Sequence, residues 1–354
     1  MIFVMAGGGS GGHVIPSLAV AQELRGRGHE CVFIGTKTGF EARLVPSAGF
    51  PIEYIEIGGL KRVGMRRVFR TLFQLPIGIL DARRLSRRLR PQAIFSMGGY
   101  AAGPVVLAAW TRRIPIVVME PNAMPGFTNR RIGRVVKRAL LSFPEAARFF
   151  PKGRSEVTGV PVRAAFFEIP PKPRGDRITI LITGGSQGSR ALNIASRESW
   201  MHFAEANFPV RFIHQSGRNM HEELVREFAA TGLDGEVVPF IDDMPAAFAQ
   251  ADLVVCRAGA GAIAELAAAG KPSILVPLPT AADNHQLRNA QAFERAGAGR
   301  LVLDSEMNGR RLFDEVKALW EDPRSLASMS EKARELSHPG AAKRAADVME
   351  QVAC

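Results

Sequence analysis

The chain has 354 residues, 46% hydrophobic and 23% charged, a balance that excludes a disordered protein and allows two ordinary domains. Three widely spaced cysteines (Cys31, Cys256, Cys354) exclude a disulfide framework and a C-x-x-C zinc site, and no run of about 18 apolar residues offers a membrane-spanning helix. The net charge of +12 is uneven: residues 1–160 hold 24 Lys and Arg against 9 Asp and Glu, residues 161–354 hold 22 against 25. A cationic first half points to a polyanion or an anionic membrane surface. No nucleic-acid motif accompanies it, and aromatic residues are only 7%, so no nucleic-acid partner is expected. The opening residues 1–6 are too short an apolar segment for a signal peptide.

In chain order, residues 2–6 read as a buried strand, followed by a glycine loop and a helix over about 14–27. Residues 30–34 form the next strand, and 93–96, 116–119 and 139–142 are further apolar runs of strand length. Strand alternating with helix predicts a parallel sheet covered on both faces. Residues 169–176, rich in proline and charge, read as a connection. The pattern then restarts with the β-branched strand Ile178–Thr183, a second glycine loop and a helix. Strands at 210–214, 237–240, Leu253–Cys256 and 273–276 follow, and 339–354 reads as a closing helix. Two doubly wound α/β domains are expected, 1–160 and 161–339, with helix 340–354 free to pack back on the first. Ligands should bind at the carboxyl ends of the strands, in a cleft between facing sheets.

The loops carry the chemistry. Gly7-Gly8-Gly9-Ser10-Gly11-Gly12-His13 contains G-x-G-x-x-G, but the second strand ends Phe33-Ile34-Gly35-Thr36 with no carboxylate for a ribose. A nicotinamide cofactor is therefore disfavoured, and G-x-x-x-x-G-K-[ST] is absent. Anion binding by glycine N–H groups at a helix start remains. His13 stands at that start, either as a functional imidazole or as a capping and packing residue. Ser96-Met97-Gly98-Gly99-Tyr100, Gly184-Gly185-Ser186-Gln187-Gly188 and Arg257-Ala258-Gly259-Ala260-Gly261-Ala262 are three more such loops. In the last, a helix starting near Gly259 would set Glu265 one to two turns in. Its carboxylate could then take a ribose diol while the helix start faces a pyrophosphate. The polar run Asp283-Asn284-His285-Gln286-Leu287-Arg288-Asn289 suits a polyhydroxyl ligand, or is a solvated loop.

Ala6 through His13, Met97-Gly98-Gly99-Tyr100, Gly184 through Gly188, Phe240-Ile241-Asp242-Asp243-Met244 and Arg257 through Glu265 occur together and in order. In this the chain resembles the MurG family of glycosyltransferases, from the first strand to the last helix. The resemblance implies a GT-B fold, two Rossmann-like domains facing a cleft. It implies inverting transfer of N-acetylglucosamine from UDP-N-acetylglucosamine to the muramyl 4-hydroxyl of undecaprenyl-diphospho-muramyl-pentapeptide, lipid I to lipid II, in peptidoglycan synthesis. The second domain would hold the donor, the first the acceptor. Main-chain groups at Ile241 would read the uracil edge, and Glu265 would take the ribose hydroxyls. Ser186 and the turn Ala260-Gly261-Ala262, with Ile263 and Ala264 behind it, would hold the diphosphate. Gln286 would contact the sugar, Asn122 and Arg163 match donor positions, and Ser10, Gly11 and Gly12 would line the other side. Four departures stand out: Ser10 where threonine is usual, Pro121 for glutamine, Val160 for asparagine, and a turn at 260–262 without a hydroxyl.

Such a transfer needs a base for the acceptor hydroxyl and stabilisation of the departing diphosphate. Helix starts and glycine N–H groups can hold that charge, so neither a metal, despite Asp242-Asp243, nor another cofactor is expected. His13 is the candidate base. Lys61-Arg62, Arg66-Arg67 and Arg70 interleave with Met65, Val68, Phe69, Leu72, Phe73, Leu75 and Ile79, and Arg83-Arg84, Arg87-Arg88 and Arg90 continue the positive face. This reads as an interfacial surface for anionic lipid, or as a core-facing amphipathic helix. The resemblance places the protein peripherally on the cytoplasmic face of the plasma (inner) membrane, with wall-synthesis and division proteins among its partners. A UDP-sugar epimerase or another GT-B transferase is the competing reading.

Overall fold

The computed structural model describes residues 1–8, 11–57 and 65–354, with the backbone alone for 65–75. Ser10, and the basic pair Lys61-Arg62, lie outside the described residues, as do the side chains of Arg66, Arg67 and Arg70. The chain divides into two units, Met1–Val162 with Gly340–Cys354, and Arg163–Pro339.

The first unit is built on a parallel sheet of β1 (Ile2–Gly7), β2 (Glu30–Gly35), β3 (Ile52–Tyr54), β4 (Ala93–Gly98), β5 (Ile116–Glu120), β6 (Arg138–Leu141) and β7 (Ser155–Val157). Their order across the sheet is β3-β2-β1-β4-β5-β6-β7. The central strands are apolar at nearly every position because helices cover both faces. One core gathers Phe3, Met5, Phe33 and Phe95 on one face, the other Val4, Ile34, Ile94 and Val118. The helix Ala341–Ala353 closes the first core with Ala345, Ala346, Val348 and Met349. It is tied by Arg27 to Asp347 (2.7 Å) and Glu350 (2.8 Å), by His29 to Glu350 (2.7 Å), and by Arg344 to Glu156 (2.6 Å).

The second unit repeats the plan with β8 (Ile178–Thr183), β9 (Val210–Gln215), β10 (Asp234–Val238), β11 (Leu253–Cys256), β12 (Ser273–Leu275) and β13 (Arg300–Leu301), in the order β10-β9-β8-β11-β12-β13. All registered pairs in both sheets are parallel. Each sheet therefore has one point where the strand order reverses, between β1 and β4 and between β8 and β11. Crevices for ligands open there, outside the carboxyl ends of the strands. All four glycine loops of the sequence leave from these four strands.

Candidate active site

In the second unit, β11 runs into Arg257-Ala258-Gly259, and the helix Ala260–Ala269 begins from Gly259 in extended conformation, without a side-chain cap. The N–H groups of Ala260, Gly261 and Ala262 come before the first intrahelical bond, which Ile263 N makes to Gly259 O. Three N–H groups at an uncapped helix start form a seat for an oxyanion. The loop beneath is fixed. Fully buried Asn289 donates Nδ2 to Ala258 O (3.2 Å), and the Arg257 guanidinium bonds Val276 O (3.0 Å) and Asp304. Ile263 is buried, so its side chain serves the core, and Ala264 is half-buried.

Glu265 is the sixth residue of that helix, about one and a half turns from its start. Burial pushes its carboxyl up to about 7, partly opposed by the Arg163 guanidinium. Arg163 is exposed and lies over the Phe166 ring, 5.0 Å from its centroid. Desolvation disfavours the charged form of an acid unless a ligand supplies donors.

The loop after β8 turns through Gly185 (φ +83°) and Gly188 (φ +72°), with Ser186 exposed between them. A side chain at Gly188 would strike the Ser216 carbonyl, so that site requires glycine for space as well as for φ. Ser189 caps the next helix, Arg190–Glu205, by accepting from Leu192 N. Buried Gln215, at the end of β9, ties three pieces together. Its Nε2 donates to Thr183 Oγ1 (3.1 Å) and Gly185 O (2.9 Å), and its Oε1 accepts from Ile241 N (2.9 Å). The Ile241 N–H is thus committed inside the protein, and its carbonyl lies outside that bond. Gln286 is similarly half-committed: its Oε1 accepts from Leu278 N (2.9 Å), and its amide NH₂ is the donor end outside that bond. Asp283 and Asn284, just before the helix His285–Arg295, both hold left-handed conformations (φ +54° and +52°), strain of the kind kept at working loops. Asp243 caps the helix Met244–Gln250 by accepting from Ala246 N (3.1 Å). Among the described residues no cluster of three metal-ligating side chains occurs.

In the first unit, the helix Gly11–Gly26 starts three residues earlier than the sequence pattern suggested, inside the glycine loop itself. Pro16 lies within it and has no N–H, so the Gly12 carbonyl lacks its helical partner four residues on. Half-buried His13 directs Nδ1 at Gly8 O (3.3 Å). A carbonyl only accepts, so Nδ1 carries the hydrogen and the neutral ring has its lone pair on Nε2. The glycine loop after β4 lies against this pair: a side chain at Gly99 (φ +81°) would come 2.9 Å from Gly8 O and 3.4 Å from His13 Nδ1.

Asn122 follows β5. The buried Glu120 carboxylate accepts its N–H (2.9 Å) and its Nδ2 (3.1 Å), then Gly126 N (3.2 Å) and Asn129 Nδ2 (2.8 Å). Burial pushes the Glu120 carboxyl up, and these four donors pull it back. Thr128 Oγ1 donates to Gly99 O (3.0 Å), which ties the segment after Asn122 to the glycine loop lying beside His13. Glu120, Asn129 and Gln215 were not singled out from the sequence. The available signal was a polar residue at the carboxyl end of an apolar strand, which Glu120 and Gln215 both are.

The chain matches the glycosyltransferase family 28 N-terminal domain over residues 3–141 and the family's C-terminal domain over 179–352. It is 62% identical, over 99% of its length and 96% of the relative's, to the UDP-N-acetylglucosamine–N-acetylmuramyl-(pentapeptide) pyrophosphoryl-undecaprenol N-acetylglucosamine transferase of Solibacter usitatus. It is 42% identical, over 98% and 92%, to the protein of the same name from Myxococcus xanthus. The crystal structure of Acinetobacter baumannii MurG superimposes with a TM-score of 0.84 at 33% identity, covering 99% of each chain.

Proposed function

The chain belongs to glycosyltransferase family 28, and from that premise we propose that it transfers N-acetylglucosamine from UDP-N-acetylglucosamine to the muramyl-pentapeptide diphospho-undecaprenol acceptor of peptidoglycan synthesis. The observation that carries the donor half is the uncapped helix start at Ala260 with Glu265 behind it: an anion seat and a carboxylate on one helix. The diphosphate takes the N–H groups of Ala260, Gly261 and Ala262, supported by Ser186. The ribose hydroxyls donate to Glu265, whose ionised form they stabilise. The Ile241 carbonyl accepts from the uracil ring N–H, and the Gln286 amide NH₂ donates to a sugar hydroxyl. Arg163 adds positive charge beside Glu265.

The first unit holds the acceptor in this reading. As the glycosidic carbon leaves UDP, its bond to the β-phosphate oxygen breaks and the electron pair departs with the diphosphate. The muramyl O4 forms the new bond on the opposite face, and its proton passes to His13 Nε2, the ring position that Gly8 O leaves unprotonated. Gly11 and Gly12 immediately precede that base in the chain, and Asn122 is held by Glu120 through its N–H and its NH₂. The helices Met65–Leu89 and Ala102–Thr111 of this unit expose Ile77, Leu80, Leu107 and Trp110 beside Arg84, Arg87, Arg88 and Arg113. Exposed apolar side chains and arginines on the same helices fit a peripheral site on the anionic cytoplasmic leaflet, near other wall-synthesis and division proteins. The first helix also buries Ala82 and Ser86, so it serves core and surface at once. No described helix is long and apolar enough to cross a membrane.

The test is UDP release from UDP-N-acetylglucosamine, with and without a lipid-linked acceptor. Release that needs the acceptor, with sugar transferred to it, is the expected result. Acceptor-independent turnover would favour the epimerase reading.

A further inference from the structure

Glu41 is the first residue of the short helix Glu41–Ser47 and is fully buried. Its carboxyl end reaches the carboxyl end of the first sheet. There it packs so tightly against Gly8, Gly35 and Gly39 that a methyl group on any of the three would overlap Glu41 atoms. None of these glycines has a left-handed φ. They are glycine for the sake of the carboxylate and not of the backbone. Glu41 Oε1 accepts Thr36 N (3.0 Å) and Thr36 Oγ1 (2.9 Å), and Thr36 Oγ1 lies 3.3 Å from the Tyr100 hydroxyl. A threonine has one hydroxyl proton, and Glu41 takes it. Tyr100 must therefore donate to Thr36, which leaves the Tyr100 oxygen with its lone pairs as an acceptor.

We propose that Glu41 is a positioning residue of the transfer site: it seats the first glycine loop through Gly8, and it orients Tyr100 through Thr36 to accept a hydrogen bond from a hydroxyl or amide of the sugar acceptor. Gly8 is also the residue whose carbonyl fixes the His13 tautomer. One buried carboxylate thus governs both the placement of the base and the polarity of a neighbouring ligand contact. The proposal rests on the reading of the first unit as the acceptor side. It adds a residue that makes no contact with the reacting atoms and acts through groups that do.

Two measurements on the full chain test it. In acceptor-dependent UDP release, Glu41→Gln should lower kcat about 10–100-fold, the penalty of a small misplacement, and leave the Kd for UDP within about twofold. Tyr100→Phe should cost clearly less on Glu41→Gln than on the wild type, since both remove one relay. In thermal unfolding, Gly35→Ala should lower Tm by about 2 °C or more in the wild-type chain, and should have little effect on Glu41→Ala, where the carboxylate it collides with is gone. A Glu41→Gln enzyme with wild-type kcat overturns the proposal. So does a Gly35→Ala penalty of the same size on both backgrounds. A wild-type protein that binds UDP and transfers nothing overturns the transferase reading instead, and the Tm comparison still decides whether the Glu41 side chain is packed against the sheet end as the proposal requires.

Discussion

In the proposed donor site Glu265 would tie ligand binding to stability through one proton. Its carboxyl is raised from an ordinary value of 4.5 to about 7, so the folded, ligand-free protein holds a proton that the unfolded chain releases. Stability from this group is present below pH 4.5 and is lost as pH rises to about 7. Glu265→Gln should therefore raise the ligand-free Tm at pH 8, by about 2–4 °C for each kcal/mol recovered, and differential scanning calorimetry would read it. In the proposed donor site binding has the opposite sign, because the ribose hydroxyls would donate to the carboxylate. The Kd for UDP-N-acetylglucosamine should rise up to about tenfold per pH unit below 7 in the wild type, and titration calorimetry should find that slope flattened in Glu265→Gln. His13 gives a separate prediction. His13→Ala should lower kcat about 10²–10⁴-fold, with donor affinity unchanged. Single-turnover rates equal to wild type would remove it from the mechanism.

Helix Ala341–Ala353 illustrates an element held by both packing and charge. Arg27 bonds Asp347 and Glu350 and also donates to the Lys343 carbonyl (3.2 Å). Arg27→Ala should lower Tm by about 2–4 °C, equivalent to about 1 kcal/mol. His29, then Arg27, holds the Glu350 carboxyl below its ordinary range. Its contribution is present above that range and is lost as pH falls through the depressed value, so the Arg27→Ala penalty should shrink in acid. Other elements differ in how plainly the sequence announces them. Ile178–Thr183 and Leu253–Cys256 are readable to the residue because both faces of a central parallel strand are buried. The edge strands β3, β7 and β13 span two or three residues with mixed exposure, too short for any periodicity. The first helix hides its start because glycines carry no helical signal. The loops at 184–188 and 257–265 declare themselves by composition. Glu41 and Gln215 do not, since each works through a partner distant in sequence (Gly8 for Glu41, Ile241 for Gln215) that only the folded sheet brings close, and Glu120 is hidden because its partners Asn122 and Gly126 lie in an irregular loop with no periodicity.

At the scale of the molecule, the charge imbalance and the division into two units run in parallel. The cationic residues 1–160 fall within the first unit, where Ile77, Leu80 and Trp110 are each more than half exposed. Vesicles containing anionic lipid should bind the protein, with affinity falling as salt rises. Leu80→Glu combined with Trp110→Ala should weaken co-sedimentation about tenfold or more through lost apolar burial, without changing turnover of a water-soluble acceptor. Binding indifferent to both lipid charge and salt would dismiss the surface. The chain leaves the first unit after Val162 and re-enters it at Gly340. On a ribosome, which delivers residues in order, the first unit is therefore begun first and finished last. Until residues 341–353 emerge, Phe3, Met5 and their neighbours lack the cover that Val348 and Met349 give them, and the second unit has all its own residues by then. The half that exposes Ile77, Leu80 and Trp110 is thus the half that needs protection longest in the cell, and a nascent-chain chaperone would find its substrate there.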